Sequence, residues 1–317
     1  VNADNSGQTV TQGSTSTPDE APVITQRGSS AETSNTITIN ASENATANVT
    51  ISDVNINTSD AAVFTKGKGN VNIELDGTNT LKSSNWHAGL EKNNDGKLTI
   101  TDKNENGKLI ATGSRYGAGI GGGNQRNGSN ITITGGEITA IGGYSGAGIG
   151  GGNYKDGNDI NIAGGKVTAT GGNYGAGIGG GNHGNGRNIT ITDGEVTAAG
   201  GTNGAGIGGG LRKEGEKITV SGDATLKVQG GSGDGWDGAG AGIGNGGNHN
   251  GEFSGSFIPV NAAETEPDTS NLTTGKIEYY APGADMTKDE PTSTILGSGQ
   301  PASPGETAAP VEYRMQT

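Results

Sequence analysis

A heptapeptide that returns every 29 residues constrains the fold of this chain more than any other feature. GAGIGGG begins at Gly117, Gly146, Gly175 and Gly204, and each copy opens a unit of the same length. Each unit holds three short segments in which apolar and polar residues alternate, separated by Gly-rich corners. Alternation with a period of two is typical of β-strands. Self-similarity at a fixed period of this size indicates a repeat architecture such as a solenoid.

Three strands per unit predict one coil of a triangular solenoid, with successive coils about 4.8 Å apart. The unit spacing stacks apolar residues into columns that fill a narrow core. The columns are Ile120, Ile149, Ile178 and Ile207; Ile131, Ile160, Ile189 and Ile218; and Ile133, Ile162, Ile191 and Val220. A narrow core agrees with a chain of 317 residues that has 64 Gly and only 28% hydrophobic residues. No apolar stripe with a helical period competes with this interpretation.

Weaker copies of the repeat extend it on both sides to about seven coils. Upstream, Ala88-Gly89-Leu90 stands where Ala118-Gly119-Ile120 stands, and downstream GAGIG returns at Gly240, seven residues later than the period requires. We interpret a one-residue slip at Leu226 as a β-bulge and place an insertion around residues 233–236. The predicted fold is all-β, a parallel β-helix with three-strand coils of about 29 residues and a small C-terminal β cap.

The two ends of the chain lack the repeat. The predicted organisation is an N-terminal linker that could be disordered over residues 1–34, the β-helix over 35–251 and a C-terminal cap or extension over 252–317. Within the C-terminal part, Lys276–Ala281 and Val311–Met315 alternate like two strands that pair. Residues 291–310 between them read as a loop.

The charge and the hydropathy pattern exclude several classes of partner. The chain carries 33 acidic and 20 basic residues, a net charge of −13, whereas nucleic acid is bound through Lys and Arg. No apolar run approaches the roughly 18 residues needed to cross a bilayer. We therefore expect no nucleic-acid partner and no membrane insertion. There is no Cys, which excludes disulfides and thiolate metal sites, and the oligomeric state is left open.

Aromatic residues recur at the corners on either side of GAGIGGG. Three tyrosines lie just before the heptapeptide, and a tyrosine and a histidine follow it at equivalent positions. These candidate ligand-binding residues are Tyr116, Tyr144, Tyr154, Tyr174 and His183. On a solenoid they would form rows on which the apolar faces of sugar rings can stack. The competing interpretation is that exposed tyrosines shield the Gly-rich corners from solvent.

Two other sets of corner residues have a structural explanation. Asn124, Asn153 and Asn182 follow GGG in three successive units and predict a ladder of side-chain amides along the axis. Trp86 and Trp236 could each seal the end of a coil or belong to the aromatic surface.

Oxygen ligands for calcium occur in two places. The candidate metal ligands are Asp102, Asn104, Asn106, Asp234 and Asp237. Residues 102–107 match the first half of an EF-hand loop, but Gly113 stands where the bidentate carboxylate belongs. A polar loop between two strands is therefore the competing interpretation of this segment. No cofactor is required by the pattern, and calcium is the one candidate.

The unit GAGIGGG followed by NITITGGEITAIGG resembles the Gly-rich repeats of right-handed parallel β-helix surface proteins of Gram-positive bacteria. Residues 61–91 resemble the coils that precede such repeats, and the resemblance covers about residues 35–250. It implies a location outside the cell, secreted or attached to the cell wall. It also implies similarity to carbohydrate-binding β-helix modules of the pectate-lyase-like superfamily, some of which bind acidic polysaccharides through calcium. The clustered Asp ligands of the lyases have no counterpart by motif.

We therefore expect a non-enzymatic extracellular module that binds a polysaccharide or host glycan, or mediates surface adhesion, through the row of corner aromatics. Two alternatives stay open. One is a passive rigid stalk of a cell-surface protein. The other is a carbohydrate-active enzyme, a polysaccharide lyase or a glycosidase, although no catalytic residue stands out: none of the three His lies in a recognisable Ser-His-Asp context.

Overall fold

The computed structural model describes residues 1–12, 14–27, 31–250 and 258–299. These residues form a β-solenoid in which every coil runs through three faces, as the repeat predicts. Equivalent strands of successive coils pair in parallel and build an 11-stranded and a 15-stranded sheet. The described residues contain no helix, and so none that could span a bilayer.

The N-terminal segment adds a further coil. Its strands are β1 (Asn2–Asp4), β2 (Gly7–Gln12), β3 (Thr15–Pro18) and β4 (Val23–Thr25). β1 and β4 pair in parallel with Ile37–Ala41 and Thr46–Ser52 of the next coil, and β2 and β3 form an antiparallel hairpin at the edge. The linker predicted over residues 1–34 is therefore wrong for these strands. This coil packs against another coil on one side only, so it needs few apolar residues. Its polar composition therefore resembles that of a linker.

The coils that precede the GAGIGGG units are complete and regular. Their strands are β5 (Ile37–Ala41), β6 (Thr46–Ser52), β7 (Asn55–Thr58), β8 (Val63–Gly67), β9 (Asn70–Asp76), β10 (Thr78–Ser83), β11 (Leu90–Lys92), β12 (Leu98–Thr101) and β13 (Lys108–Thr112). Along β9 and β12 every second side chain is buried, which is the pattern expected for a face with one side in the core.

The repeat coils place each β-branched column where the sequence predicts it. Their strands are β14 (Ile120–Gly121), β15 (Ile131–Ile133), β16 (Glu137–Ile141), β17 (Ile149–Gly150), β18 (Gly157–Thr170), β19 (Ile178–Gly179), β20 (Gly186–Ala199), β21 (Ile207–Gly208), β22 (Gly215–Val220) and β23 (Thr225–Gln229). Ile120 pairs with Ile149, Ile149 with Ile178, and so on at 29 residues. The columns form one continuous core in which most side chains are fully buried.

The seven additional residues of the last unit are divided between two corners. Ile191 pairs with Val220 at the normal offset, but Val196 pairs with Leu226, so one residue is added in the corner after β22. Gly222 adopts a φ of 62° there. The predicted β-bulge is thus an enlarged corner and not a bulge within a strand. The other six residues lie between Gly231 and Gly240, because nine positions separate these two residues and three separate the equivalent Gly201 and Gly204.

The C-terminal part extends both sheets. Its strands are β24 (Ile243–Gly244), β25 (Asn248–Asn250), β26 (Ile258–Val260), β27 (Lys276–Tyr280) and β28 (Ser293–Leu296). The predicted strand near Lys276 is confirmed, and it pairs in parallel with β23. Its second partner is β28, which lies inside the segment that the sequence predicts as a loop. The other predicted strand, Val311–Met315, lies outside the described residues.

Candidate functional site

One corner of the solenoid is built from the same backbone contacts in five successive coils. In each coil an amide N–H just after the Gly-rich strand donates to a carbonyl that lies just before that strand in the preceding coil, at 2.7–2.9 Å. The residues that supply the carbonyl are called the first wall, and they are Trp86, Tyr116, Ser145, Tyr174 and Asn203. The residues that supply the amide are called the floor, and they are Asn124, Asn153, Asn182, Leu211 and Gly247.

The asparagines of the floor form the predicted amide ladder. The Nδ2 of Asn153 donates to Oδ1 of Asn124 at 3.2 Å, and the Nδ2 of Asn182 donates to Oδ1 of Asn153 at 3.0 Å. Asn153 and Asn182 are buried, whereas Asn124 is partly exposed. Leu211 interrupts the ladder, and the buried Oδ1 of Asn182 has no hydrogen-bond partner.

The residue after each floor position forms a second wall. Its members are Gln125, Tyr154, His183 and Arg212, whose φ values are 57°, 61°, 51° and 57°. Non-glycine residues rarely adopt this left-handed conformation, and its recurrence at one position shows that the corner geometry is conserved from coil to coil within the chain. The rings of Tyr154 and His183 stack with centroids 5.7 Å apart and an angle of 2° between their planes.

The two walls flank an open cleft of about 420 Å³ over the asparagine floor. Its lining residues are Trp86, Arg115, Tyr116, Asn124, Gln125, Tyr144, Ser145, Asn153, Tyr154 and Asn182. Trp86, Tyr144 and Tyr154 are 62%, 41% and 56% exposed, so their rings are available to a ligand. The guanidinium of Arg115 lies 5.4 Å from the ring centre of Tyr116 and 5.6 Å from that of Tyr144, within the range of cation–π attraction.

Contacts between aromatic side chains fix the end of the cleft that lies next to Tyr174. Tyr144 and Tyr174 pack edge to face with ring centres 5.1 Å apart, and their hydroxyl groups are 3.2 Å apart. This hydrogen bond, followed by burial, raises the pKa of Tyr174 to about 12. Burial, together with the nearby Arg212 and Lys213, lowers the pKa of His183. At neutral pH the ring of His183 is therefore mainly uncharged.

The structure brings together some of the residues that the sequence singles out and adds others. Tyr116, Tyr144 and Tyr154 line the cleft, while Tyr174 and His183 lie beside it and each contacts a lining tyrosine. The sequence leaves open whether Trp86 belongs to the aromatic surface or seals the end of a coil, and it does not single out Arg115. The position of Trp86 has a detectable signal, because Trp86 stands before Ala88-Gly89-Leu90 as Tyr116 stands before Ala118-Gly119-Ile120. Arg115 has no such signal.

The segment from Asp102 to Gly107 is held as a polar loop. Both oxygens of Asp102 accept backbone N–H groups, from Asn106 at 3.3 Å and from Gly107 at 3.0 Å. The Nδ2 of Asn106 donates to Asp76 at 2.9 Å, and Asn104 is exposed on the same turn. The loop thus satisfies its own polar groups, and we derive no function through calcium at this position.

The second candidate calcium site is occupied by internal pairing. Asp237 is buried and binds Arg212 through both oxygens, at 2.7 and 2.8 Å, and His249 Nδ1 lies 2.8 Å from the same carboxylate. The Oδ1 of Asp234 accepts the backbone N–H groups of Trp236 and Asp237. A guanidinium already stands beside Asp237, so these residues do not fit a calcium site. Over the described residues no cluster of three or more His, Asp or Glu side chains could hold a metal ion.

We expect Asn153→Ala to lower the stability of the corner. The substitution leaves Nδ2 of the buried Asn182 without its acceptor, which costs about 1–3 kcal/mol. Chemical denaturation would measure the loss. Asn161→Ala, on the outer side of β18, is the matched control and should change the free energy of unfolding by less than about 0.5 kcal/mol. Equal effects of the two substitutions would contradict a structural role for the ladder.

These features define the chain as a parallel β-helix protein with an aromatic cleft at one corner. The family model described as a beta helix repeat matches residues 105–124, 131–153, 160–182 and 189–211. The matched segments are similar to that repeat, and they contain the three floor asparagines. Comparison with curated proteins found no match, and neither did comparison with solved structures.

Proposed function

We propose that this protein is a non-enzymatic extracellular module that binds a polysaccharide or glycan in the aromatic cleft, and so attaches its bearer to a surface. The observation that carries the proposal is the convergence of four aromatic rings, four carboxamides and one guanidinium on a single cleft of about 420 Å³. Small-molecule sites commonly have this size and combine aromatic walls with a few oriented polar groups.

Each group of the cleft suits a different part of a sugar. The rings of Trp86, Tyr116, Tyr144 and Tyr154 offer flat apolar faces for the CH groups of a pyranose. The partly exposed amide of Asn124 can donate hydrogen bonds to hydroxyl groups. Arg115 adds a fixed positive charge, which favours a sugar that carries a carboxylate or a sulfate. The location outside the cell, secreted or bound to the cell wall, is proposed from the resemblance of the repeats.

Binding is favoured over catalysis by the composition of the cleft wall. Hydrolysis of a glycosidic bond generally requires two carboxyl groups on either side of it. None of the described residues that line the cleft is Asp or Glu. Glu91, whose carboxylate lies beside Gly123 at this corner, is buried and accepts hydrogen bonds from His87 and from the backbone of Ala88.

We expect Trp86→Ala to weaken glycan binding ten- to a hundredfold, about 1.4–2.8 kcal/mol, because it removes the largest exposed ring of the cleft. Affinity electrophoresis in gels that contain polygalacturonate, arabinogalactan or mucin would measure binding, with calcium and with a chelator.

Ile110→Ala is the control, because Ile110 is an apolar side chain exposed on the outer side of β13 that belongs neither to the cleft nor to the inserted loop. It should migrate like the wild type. Unretarded migration of the wild type in all three gels, or equal retardation of Trp86→Ala and the wild type, would refute the proposed function.

A further inference from the structure

We infer that the cleft receives the end of a glycan chain and not an internal segment of one. The inference rests on the proposed function and concerns the shape of the same site. The two walls and the floor form a groove parallel to the solenoid axis, because each coil contributes one residue to each of the three rows. Its C-terminal end is closed by the inserted loop between Gly231 and Gly240, and its N-terminal end is open.

The inserted loop is fixed to the first wall. The backbone N–H of Gly233 donates to the carbonyl of Thr202 at 2.7 Å. The Nδ2 of Asn203 donates to the carbonyls of Asp237 and Gly238, both at 3.2 Å. Asn203 occupies the first-wall position of its coil and is fully buried, whereas Trp86 at the other end of the same row is 62% exposed. The loop therefore covers the first wall at this point.

The same loop is fixed to the second wall. Arg212, the second-wall residue of this coil, binds the carboxylate of Asp237 through two hydrogen bonds of 2.7 and 2.8 Å. Because Asp237 contacts Asn203 on one wall and Arg212 on the other, it bridges the groove. Leu211, the floor residue that precedes Arg212 in the chain, is only 5% exposed. A sugar chain cannot continue along the floor past this bridge.

The Asp237 side chain that forms this bridge is charged at neutral pH. Burial raises the pKa of Asp237, but hydrogen bonds from Arg212 and His249 outweigh it and hold that pKa below its ordinary value. A buried carboxylate with a bidentate guanidinium partner has a well-defined geometry. The closed end therefore belongs to the resting shape of the groove.

Among the described residues, none makes a comparable bridge at the opposite end of the groove. In the coil before Trp86 the equivalent position is Ser59, because Leu90 pairs with Val63. Ser59 is small and exposed, so the first wall ends at Trp86. Three coil spacings separate Trp86 from Tyr174, about 14 Å in all. One sugar unit is similar in length to one coil spacing, so the groove matches a short terminal run of sugars.

The test compares polygalacturonate preparations of equal mass whose mean chain length has been reduced stepwise by partial hydrolysis. Titration calorimetry would give the number of binding sites per gram. If the groove takes chain ends, halving the mean chain length doubles the number of sites per gram. A number of sites that stays constant per gram would show binding to internal segments and overturn the inference. If polygalacturonate does not bind, the same series is run on whichever of arabinogalactan and mucin retards the wild type; if none of the three does, the proposed function fails together with the inference.

A deletion of residues 233–238 provides a second readout. It leaves two residues between Gly231 and Gly240, as there are between Gly201 and Gly204, and so restores the regular corner. We expect the shortened protein to bind internal segments, so its number of sites per gram should no longer follow chain length. Circular dichroism would show whether the deletion variant folds. A folded variant whose number of sites per gram still doubles when the mean chain length is halved would contradict the role of the loop. The chain-length series on the wild type does not depend on this variant.

Discussion

Replacing Gly172 by alanine is expected to unfold the central coils, with a loss of more than about 4 kcal/mol. A Cβ at this position would lie 1.6 Å from the carbonyl oxygen of Gly143 in the preceding coil, and Gly201 stands in the same relation to Gly172. The obstacle is backbone and not a flexible side chain, so the coils themselves would have to separate. Thermal unfolding followed by circular dichroism would measure the loss.

Gly135→Ala is the matched control for this prediction. Gly135 also lies at a corner of the repeat, but the atom closest to its added Cβ would be the backbone nitrogen of Asp102 at 3.2 Å. A shift of a few tenths of an ångström relieves such a contact, so we expect a small change in the midpoint of unfolding. If Gly172→Ala unfolds at the same temperature as Gly135→Ala, close approach of the coils is not what selects glycine at this corner.

The fold could be predicted because the buried side chains that hold the coils together recur in the sequence at a fixed period. Each coil buries the same β-branched side chains against the next, so Ile131, Ile160 and Ile189 appear at a fixed period and pair as expected. The first coil escaped prediction because it has only one neighbouring coil. Its strands β1 and β4 are only three residues long and bury little, so they carry no periodic apolar signal.

The site could be predicted only in part, for a related reason. Tyr154 and His183 stand at one repeat position, so the sequence places them in one row. The cleft also needs Arg115, which has no repeated counterpart. The closed end depends on Asp237, which lies in an insertion with no copy elsewhere in the chain. Contacts made by unrepeated residues leave no period from which they can be inferred.

Ile162→Ala is expected to lower the stability of the central coils by about 3 kcal/mol. Ile162 is fully buried and pairs in register with Ile133 on one side and Ile191 on the other. The neighbours along the column are fixed at the coil spacing by backbone hydrogen bonds, so they cannot move together to fill the cavity. Denaturant unfolding would give the size of the loss. Amide hydrogen exchange should localise it to β15, β18 and β20.

Ile141→Ala is the matched control, because it makes the same isoleucine-to-alanine change outside the core. Ile141 lies on the outer side of β16 and is 38% exposed, so Ile141→Ala removes the same atoms without opening a cavity. We expect a loss of less than about 1 kcal/mol from this variant. A solenoid held together mainly by its backbone ladders would respond alike to both substitutions. A large difference between them would show that the isoleucine column, and not the ladder of hydrogen bonds alone, stabilises the stack that carries the cleft.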